Sequence, residues 1–160
     1  MVFFSPVKKN QCDCCGATKF RQAKVLWPGL ISEWKLSDEE AAYVDRQQGF
    51  SCAACRSNLR SMALAMAVTR CVGFDGYLSD FVQSDTGKKT SVLEINEAGY
   101  LSQFLEKMPA RRLVTYPEID MMKLPFEDES YDLVLHSDTL EHVGDPVKGL
   151  SECRRVLKTC

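Results

Sequence analysis

The chain has 160 residues, 45% hydrophobic and 26% charged, a composition that folds rather than stays disordered. Its 20 basic and 22 acidic residues leave a net charge of -2, which argues against nucleic-acid binding by bulk charge and against a polybasic membrane anchor. The longest apolar run, Met62–Val68, is too short to span a bilayer, and Lys8 and Lys9 lie on the wrong side of the apolar patch for a secretory signal, so a cytoplasmic protein is expected.

Residues 1–10 are expected to be loose. Eight cysteines follow along the chain, at 12, 14, 15, 52, 55, 71, 153 and 160. Cys12–Cys15 and Cys52–Cys55 are two C-x-x-C turns, each of which brings two thiolates to one side of a tight loop. Together they supply the four soft ligands of a tetrahedral zinc. Cys14 competes with Cys12 for the first position, and buried free thiols are the plainer alternative. Gly16 after the first pair and Arg56-Ser57-Asn58 after the second suit knuckle turns. Residues 16–51 separate the pairs and must fold as their own strand and helix. Residues 19–26 read as a short strand, broken by Trp27-Pro28-Gly29. Ser37 and Glu40 form a capping box for a helix running to about Gln48, with Gly49 at its C-cap. Residues 57–72 read as a long helix whose inner face is Leu59, Met62, Ala63, Met66 and Ala67. This gives a zinc-binding, helical module over 1–72. Residues 73–89 are turn-rich and read as a linker.

From residue 90 the pattern becomes strand–helix–strand. Strands are expected at 91–95, 113–116 and 131–136, and helices at 98–108 and from Asp145-Pro146 onward. The first helix has Leu101, Phe104, Leu105 and Met108 on one face. The last has Val147, Leu150, Cys153 or Arg154, and Leu157. The Leu133-Val134-Leu135 run suggests a strand at the centre of the sheet, buried on both sides. This alternation predicts an α/β fold with a parallel sheet over 90–160. In such sheets ligands sit beyond the carboxyl ends of the strands. Glu94 and Asn96 follow the first strand there, Glu118 and Asp120 the second, and His136, Ser137 and Asp138 the third. With no glycine-rich phosphate cradle and no local lysine, these acceptors suit a ligand bearing hydroxyls, an amine or a sulfonium. Solvated turn residues are the plainer reading of Glu118 and Asp120.

The stretch Leu124-Pro-Phe-Glu-Asp-Glu-Ser-Tyr-Asp132, then Leu140-Glu-His-Val143, Asp145-Pro146 and Arg155-Val-Leu-Lys158 resembles the front half of a class I S-adenosylmethionine-dependent methyltransferase. The cysteine-paired half also resembles a zinc-binding lead-in that precedes some such domains. The resemblance implies a partial Rossmann-like methyltransferase domain over 90–160, with S-adenosyl-L-methionine as cofactor and structural zinc in the N-terminal module. It places Glu94 in the family's motif I, near the methionine end of the cofactor. Asn96, Ala98 and Gly99 stand in the loop that is normally glycine-rich, and Tyr100 replaces a glycine that the cofactor approaches. Asn96 tolerates left-handed angles and Ala98 is small. By the same resemblance Glu118 accepts from the ribose, Asp120 from the adenine amine, and Met121 lies against the ring. His136, Ser137 and Asp138 border the methyl-transfer face, with Asp138 and His136 as candidate bases. His142 is read as a histidine that packs on its helix or supports the site from behind, rather than as a base.

The family continues beyond Lys158 with further strands. The strand at 131–136 is then expected to present an edge, which a partner protein or a second copy of the chain covers. The methyl acceptor is not legible. The alternative is a non-catalytic zinc-binding interaction module carrying a degenerate half-domain. Arg56, Arg60 and Arg70 near the second cysteine pair admit nucleic-acid binding, but the charge balance opposes it.

Overall fold

The computed structural model describes residues 10–159. The expected loose N-terminus and Cys160 lie largely or wholly outside the described residues. The chain divides into two compact units, Met1–Leu78 and Ser79–Cys160.

In the first unit, β1 (Phe20–Gln22) and β2 (Phe50–Cys52) form an antiparallel pair with Phe20 opposite Cys52. The rings of Phe20 and Phe50 stack at 4.9 Å. Between the strands lie α1 (Pro28–Glu33) and α2 (Asp38–Gln48). The capping box forms as expected. The Ser37 hydroxyl accepts from the Glu40 amide, and the Glu40 carboxylate accepts from the Ser37 amide. Gly49 ends α2 at an ordinary φ of -86°. Its need for glycine is steric, because a Cβ there would lie 1.9 Å from the Ala23 carbonyl oxygen. Asp45 on α2 accepts from the amides of Val25 and Leu26, which fastens the segment after β1.

Helix α3 (Leu59–Cys71) is capped by Asn58, which accepts from the Ser61 amide. Its buried face is Ser61, Met62, Ala65, Val68 and Thr69. The expected face is therefore rotated, and Leu59, Ala63 and Ala67 are exposed. The inward hydroxyls have hydrogen-bond partners; Thr69, for example, donates to the Met66 carbonyl. Polar residues thus point inward without orphaned groups.

The stretch expected as a linker contains α4 (Leu78–Phe81) and α5 (Asp85–Lys89), and Leu78, Phe81 and Val82 are buried. Ser84 caps α5 by accepting from the Gly87 amide.

The second unit is built on a three-stranded parallel sheet in the order β4-β3-β5, formed by β3 (Val92–Ile95), β4 (Arg111–Val114) and β5 (Leu133–His136). A 3-10 turn at Gly99–Leu101 and α6 (Ser102–Leu105) make the crossover from β3 to β4. This helical segment is shorter than expected, but Leu101, Phe104, Leu105 and Met108 are buried as the pattern predicts. The central strand is β3, buried at every position, whereas β5 lies at an edge with Val134 and His136 half-buried. Among these three strands β5 is thus the edge that the 131–136 strand is expected to present, not the centre that its apolar run suggests. An apolar run shows that a strand is covered, not where it pairs.

Leu93, Ile95, Val114, Met121, Leu124, Tyr131, Cys153 and Val156 form the core cluster. Helix α7 (Pro146–Val156) is capped by Asp145, which accepts from the Lys148 amide. It turns Gly149, Cys153 and Val156 inward, while Val147 and Leu150 are exposed, which corrects the expected face. Gly149 allows the helix to sit close over Met121, since a Cβ would lie 3.1 Å from that side chain. From α7 the Arg155 guanidinium donates to the carbonyls of Leu124 and Phe126 and pairs with Asp128 and Glu152. One side chain so ties the 124–128 turn to the helix.

Candidate functional site

Two constellations stand out, one in each unit. In the first, the sulfurs of Cys12, Cys15, Cys52 and Cys55 all lie within 4.8 Å of one another. Cys12 and Cys55 are 3.6 Å apart, and Cys15 and Cys52 3.7 Å. A tetrahedron with metal–sulfur bonds of about 2.3 Å has edges of about 3.8 Å. None of the four sulfurs is bridged in a disulfide. Cys14 turns aside, with its thiol directed at the Ser61 carbonyl at 3.7 Å.

Each pair sits on a tight turn. The Cys12 carbonyl accepts from the amides of Cys15 and Gly16, and the Cys52 carbonyl accepts from the Arg56 amide. Gly16 and Arg56 occupy equivalent left-handed positions at φ +76° and +67°. The Gly16 turn is closed by the Tyr77 ring, 2.6 Å from where a Cβ would stand. Sharing with Cys14 and burial push the Cys12 thiol well above its ordinary value. Burial does the same to Cys15 and Cys55. Burial also acts on Cys52, but the amides of Cys55 and Ala54 and the neighbouring thiols outweigh it and bring it down to about 7. Four crowded soft donors, largely reluctant to ionise alone, fit a thiophilic divalent cation, whose charge reverses that reluctance.

In the second unit a cleft of about 280 Å³ opens at the carboxyl ends of the strands. Asn96, Tyr116, Asp120, Met121, Thr139 and His142 are among its lining residues, with Ile119, Met122, Val143 and Gly144 completing the wall. Of the residues expected to bind cofactor, the cleft brings together Asn96, Asp120 and Met121. Asn96 is left-handed at φ +55° as expected, and its side-chain oxygen accepts from the Tyr116 amide. Asp120 accepts from the Met122 amide at 2.8 Å, which fixes its carboxylate at the cleft wall. Met121 is buried, with Gly149 against it.

The other expected residues are placed differently. Glu94 is fully buried, with its two oxygens held by the Ala98 amide at 2.7 Å and the Arg111 guanidinium at 2.6 Å, and it does not line the cleft. Ala98 is buried and Gly99 begins the 3-10 turn, so both shape the loop from behind. Tyr100 is 45% exposed and stays out of the cleft. Glu118 is exposed and accepts from the Thr115 hydroxyl. His136 ends β5 and is half-buried. Burial lowers its basicity, against the opposing charge of Glu141. Ser137 is half-buried, and Asp138 is exposed in a left-handed conformation at φ +52°. Neither of the two, nor His136, is among the lining residues. His142, expected either to pack on its helix or to support the site, is exposed and lines the cleft. The Leu140-Glu-His-Val143 run was the signal for it.

A parallel α/β sheet with a ligand-sized cleft beyond its strand ends defines a partial Rossmann-like domain. A family described as "Methyltransferase domain" matches residues 71–159, and the chain belongs to that family. A solved SAM-dependent methyltransferase of Thermotoga maritima, described as a possible histamine N-methyltransferase, is 23% identical. The alignment has a TM-score of 0.32 and covers 44% of this chain and 41% of that one. No curated relative matches the sequence. Among the described residues no helix is long and apolar enough to cross a membrane.

Proposed function

We propose that the second unit binds S-adenosylmethionine in the cleft and serves methyl transfer to an acceptor, while the first unit is stabilised by one zinc ion on Cys12, Cys15, Cys52 and Cys55. The observation that carries the reading is Asp120, fixed by the Met122 amide at the wall of a cleft in a methyltransferase-family domain. A carboxylate, an amide and the thioether and aliphatic wall of Met121, Met122 and Ile119 suit an adenine ring and its exocyclic amine. Bound there, the cofactor supplies an electrophilic methyl group. The chain's own contribution is to orient the ligand and keep water from it. The imidazole of His136, its basicity lowered by burial, and the Asp138 carboxylate are the candidates for receiving the acceptor's proton. Glu118, on the loop after β4, remains the candidate for the ribose. A protein strand or second copy along the β5 edge belongs to the same reading.

Calorimetric titration with S-adenosylhomocysteine tests it. Wild type should bind saturably, and Asp120→Ala should bind at least about tenfold more weakly, the scale of one charged hydrogen bond. A folded, zinc-loaded wild type that binds none rules out catalysis by this chain and leaves the zinc-binding interaction module as the better reading.

A further inference from the structure

The loop that follows β3 is held in an unfavourable backbone shape. Asn96, Glu97 and Gly99 have φ of +55°, +54° and +55°. Asparagine and glycine adopt such angles readily, whereas glutamate does not. Contacts must therefore hold the run in place. Asn96 is tied at both ends of the residue: its amide donates to the Val114 carbonyl and its side chain accepts from the Tyr116 amide. Ala98 donates to Glu94 Oε1 at 2.7 Å.

That last bond ends on a carboxylate with no solvent exposure, in the middle of the central strand. A buried carboxylate is a poor anchor unless it is paired. Arg111, at the start of β4, provides the partner. Leu113 is opposite Glu94 in the register, and Arg111 lies two residues earlier on the same face. Its Nε reaches Glu94 Oε2 at 2.6 Å, and its NH2 group donates to the Ser102 hydroxyl at 2.9 Å, which fixes the guanidinium from the other side.

We propose that Arg111 is a positioning residue for the cleft: acting through Glu94 and the Ala98 amide, it holds the Asn96–Gly99 backbone in the shape that presents Asn96 to the ligand. The effect on ligand affinity rests on the methyltransferase reading. The effect on the loop does not. Arg111 is not among the residues that line the cleft, and its action runs through two hydrogen bonds.

The test is residue-resolved amide exchange of the zinc-loaded protein, followed by S-adenosylhomocysteine titration. Arg111→Ala should speed exchange at the Ala98 amide by about tenfold or more, the scale of one charge-assisted bond, while amides within α7 keep their protection. Arg111→Lys should recover part of that protection. If Arg111→Ala does not fold, Glu94→Gln/Arg111→Met removes both charges together and should still leave the Ala98 amide less protected than wild type. Wild-type exchange at Ala98 in a folded Arg111→Ala or in the double variant overturns the proposal, as does a uniform loss of protection throughout the unit. In the titration, Arg111→Ala should weaken S-adenosylhomocysteine by a similar factor, and unchanged affinity overturns its role in the cleft. A wild type that binds no ligand sinks the methyltransferase reading instead and leaves the exchange result to decide the role of Arg111 in the loop.

Discussion

The two units solve the problem of stability by different means. In the first, α1 buries no residue and α2 buries only Ala41. Cys12, Cys14 and Cys52 are among its most buried side chains, so its centre is a cluster of thiols. In the second, an all-buried strand is flanked by two others, and a contiguous apolar cluster is closed over by α7. Glu94, the one buried charged group among its described residues, has an arginine partner. A small unit with little apolar burial needs a staple. A sheet with a filled core does not, and can carry a polar cleft at its rim.

The largest expected effect separates the units by metal. Purified protein should hold one zinc, and chelation or Cys55→Ser should abolish amide protection in the first unit while β3 stays protected. Structural zinc contributes about 10–16 kcal/mol in finger peptides, which sets the scale. Cys14→Ser should keep the metal. Retention of full structure after chelation would break the contrast. Next comes the apolar core. Leu93→Ala, at a fully buried position, should cost about 2–5 kcal/mol in urea unfolding of the second unit and leave zinc content unchanged. A cost below about 1 kcal/mol would mean that the sheet is not the core it looks to be.

Smaller is the effect of Gly49→Ala, which forces a Cβ onto the Ala23 carbonyl. About 1–3 kcal/mol is expected from overpacking, against about 0.5 kcal/mol or less for Gly144→Ala, where nothing lies within 4 Å. Equal melting shifts in the two variants would refute the steric account.

The smallest effect is acid sensitivity in the second unit. Burial raises the Asp132 carboxyl, but the Ser91 hydroxyl and amide and the Lys158 ammonium outweigh it and hold it below the ordinary range. Its contribution is present above the ordinary aspartate range and is lost as pH falls through the folded value. His136, depressed by burial, adds a second loss: below about pH 6.5 the unfolded chain takes up the proton first. Asp132→Asn should flatten the lower part of the curve of urea midpoint against pH, and His136→Gln the upper part. Curves that superimpose on wild type would show that neither group is linked to folding.

What the sequence made legible was local or repetitive. The Ser37–Glu40 box and the Asp145-Pro146 start are decided within one helical turn, and the structure reproduces both. The two C-x-x-C pairs were visible because their spacing repeats, and Asn96 because asparagine is one of few residues at ease with a positive φ. The α3 face is hidden from the pattern because Met and Ala lie on every side of that helix, while Ser61 and Thr69, which point inward, look like surface residues by hydropathy. The α7 face is hidden in the same way, because its close approach to Met121 is made by Gly149, which carries no apolar signal. Glu94 and Arg111 stand 17 positions apart, and only the strand register shows that one neutralises the other. The same register decides that β3, with a glutamate in its middle, is central, and that the wholly apolar Leu133–Leu135 run is not. Phe81 ends a four-residue helix and Val82 lies in the turn after it, a stretch too short for periodicity to register.

The two knuckle turns share a backbone but not a neighbourhood. At position 16 the left-handed residue lies beneath an aromatic ring. At position 56 it is an exposed arginine. Heredity therefore meets two unequal doors to one symmetrical cage. Position 56 is free to drift among asparagine, glycine, aspartate and long polar side chains, with glycine relieving the angle outright. Position 16 is closed to every side chain while Tyr77 stays in place. A change at residue 77 to something smaller would open it, so the permitted histories of those two positions are coupled across 61 places in the chain (77 less 16), while residue 56 is spared that dependence.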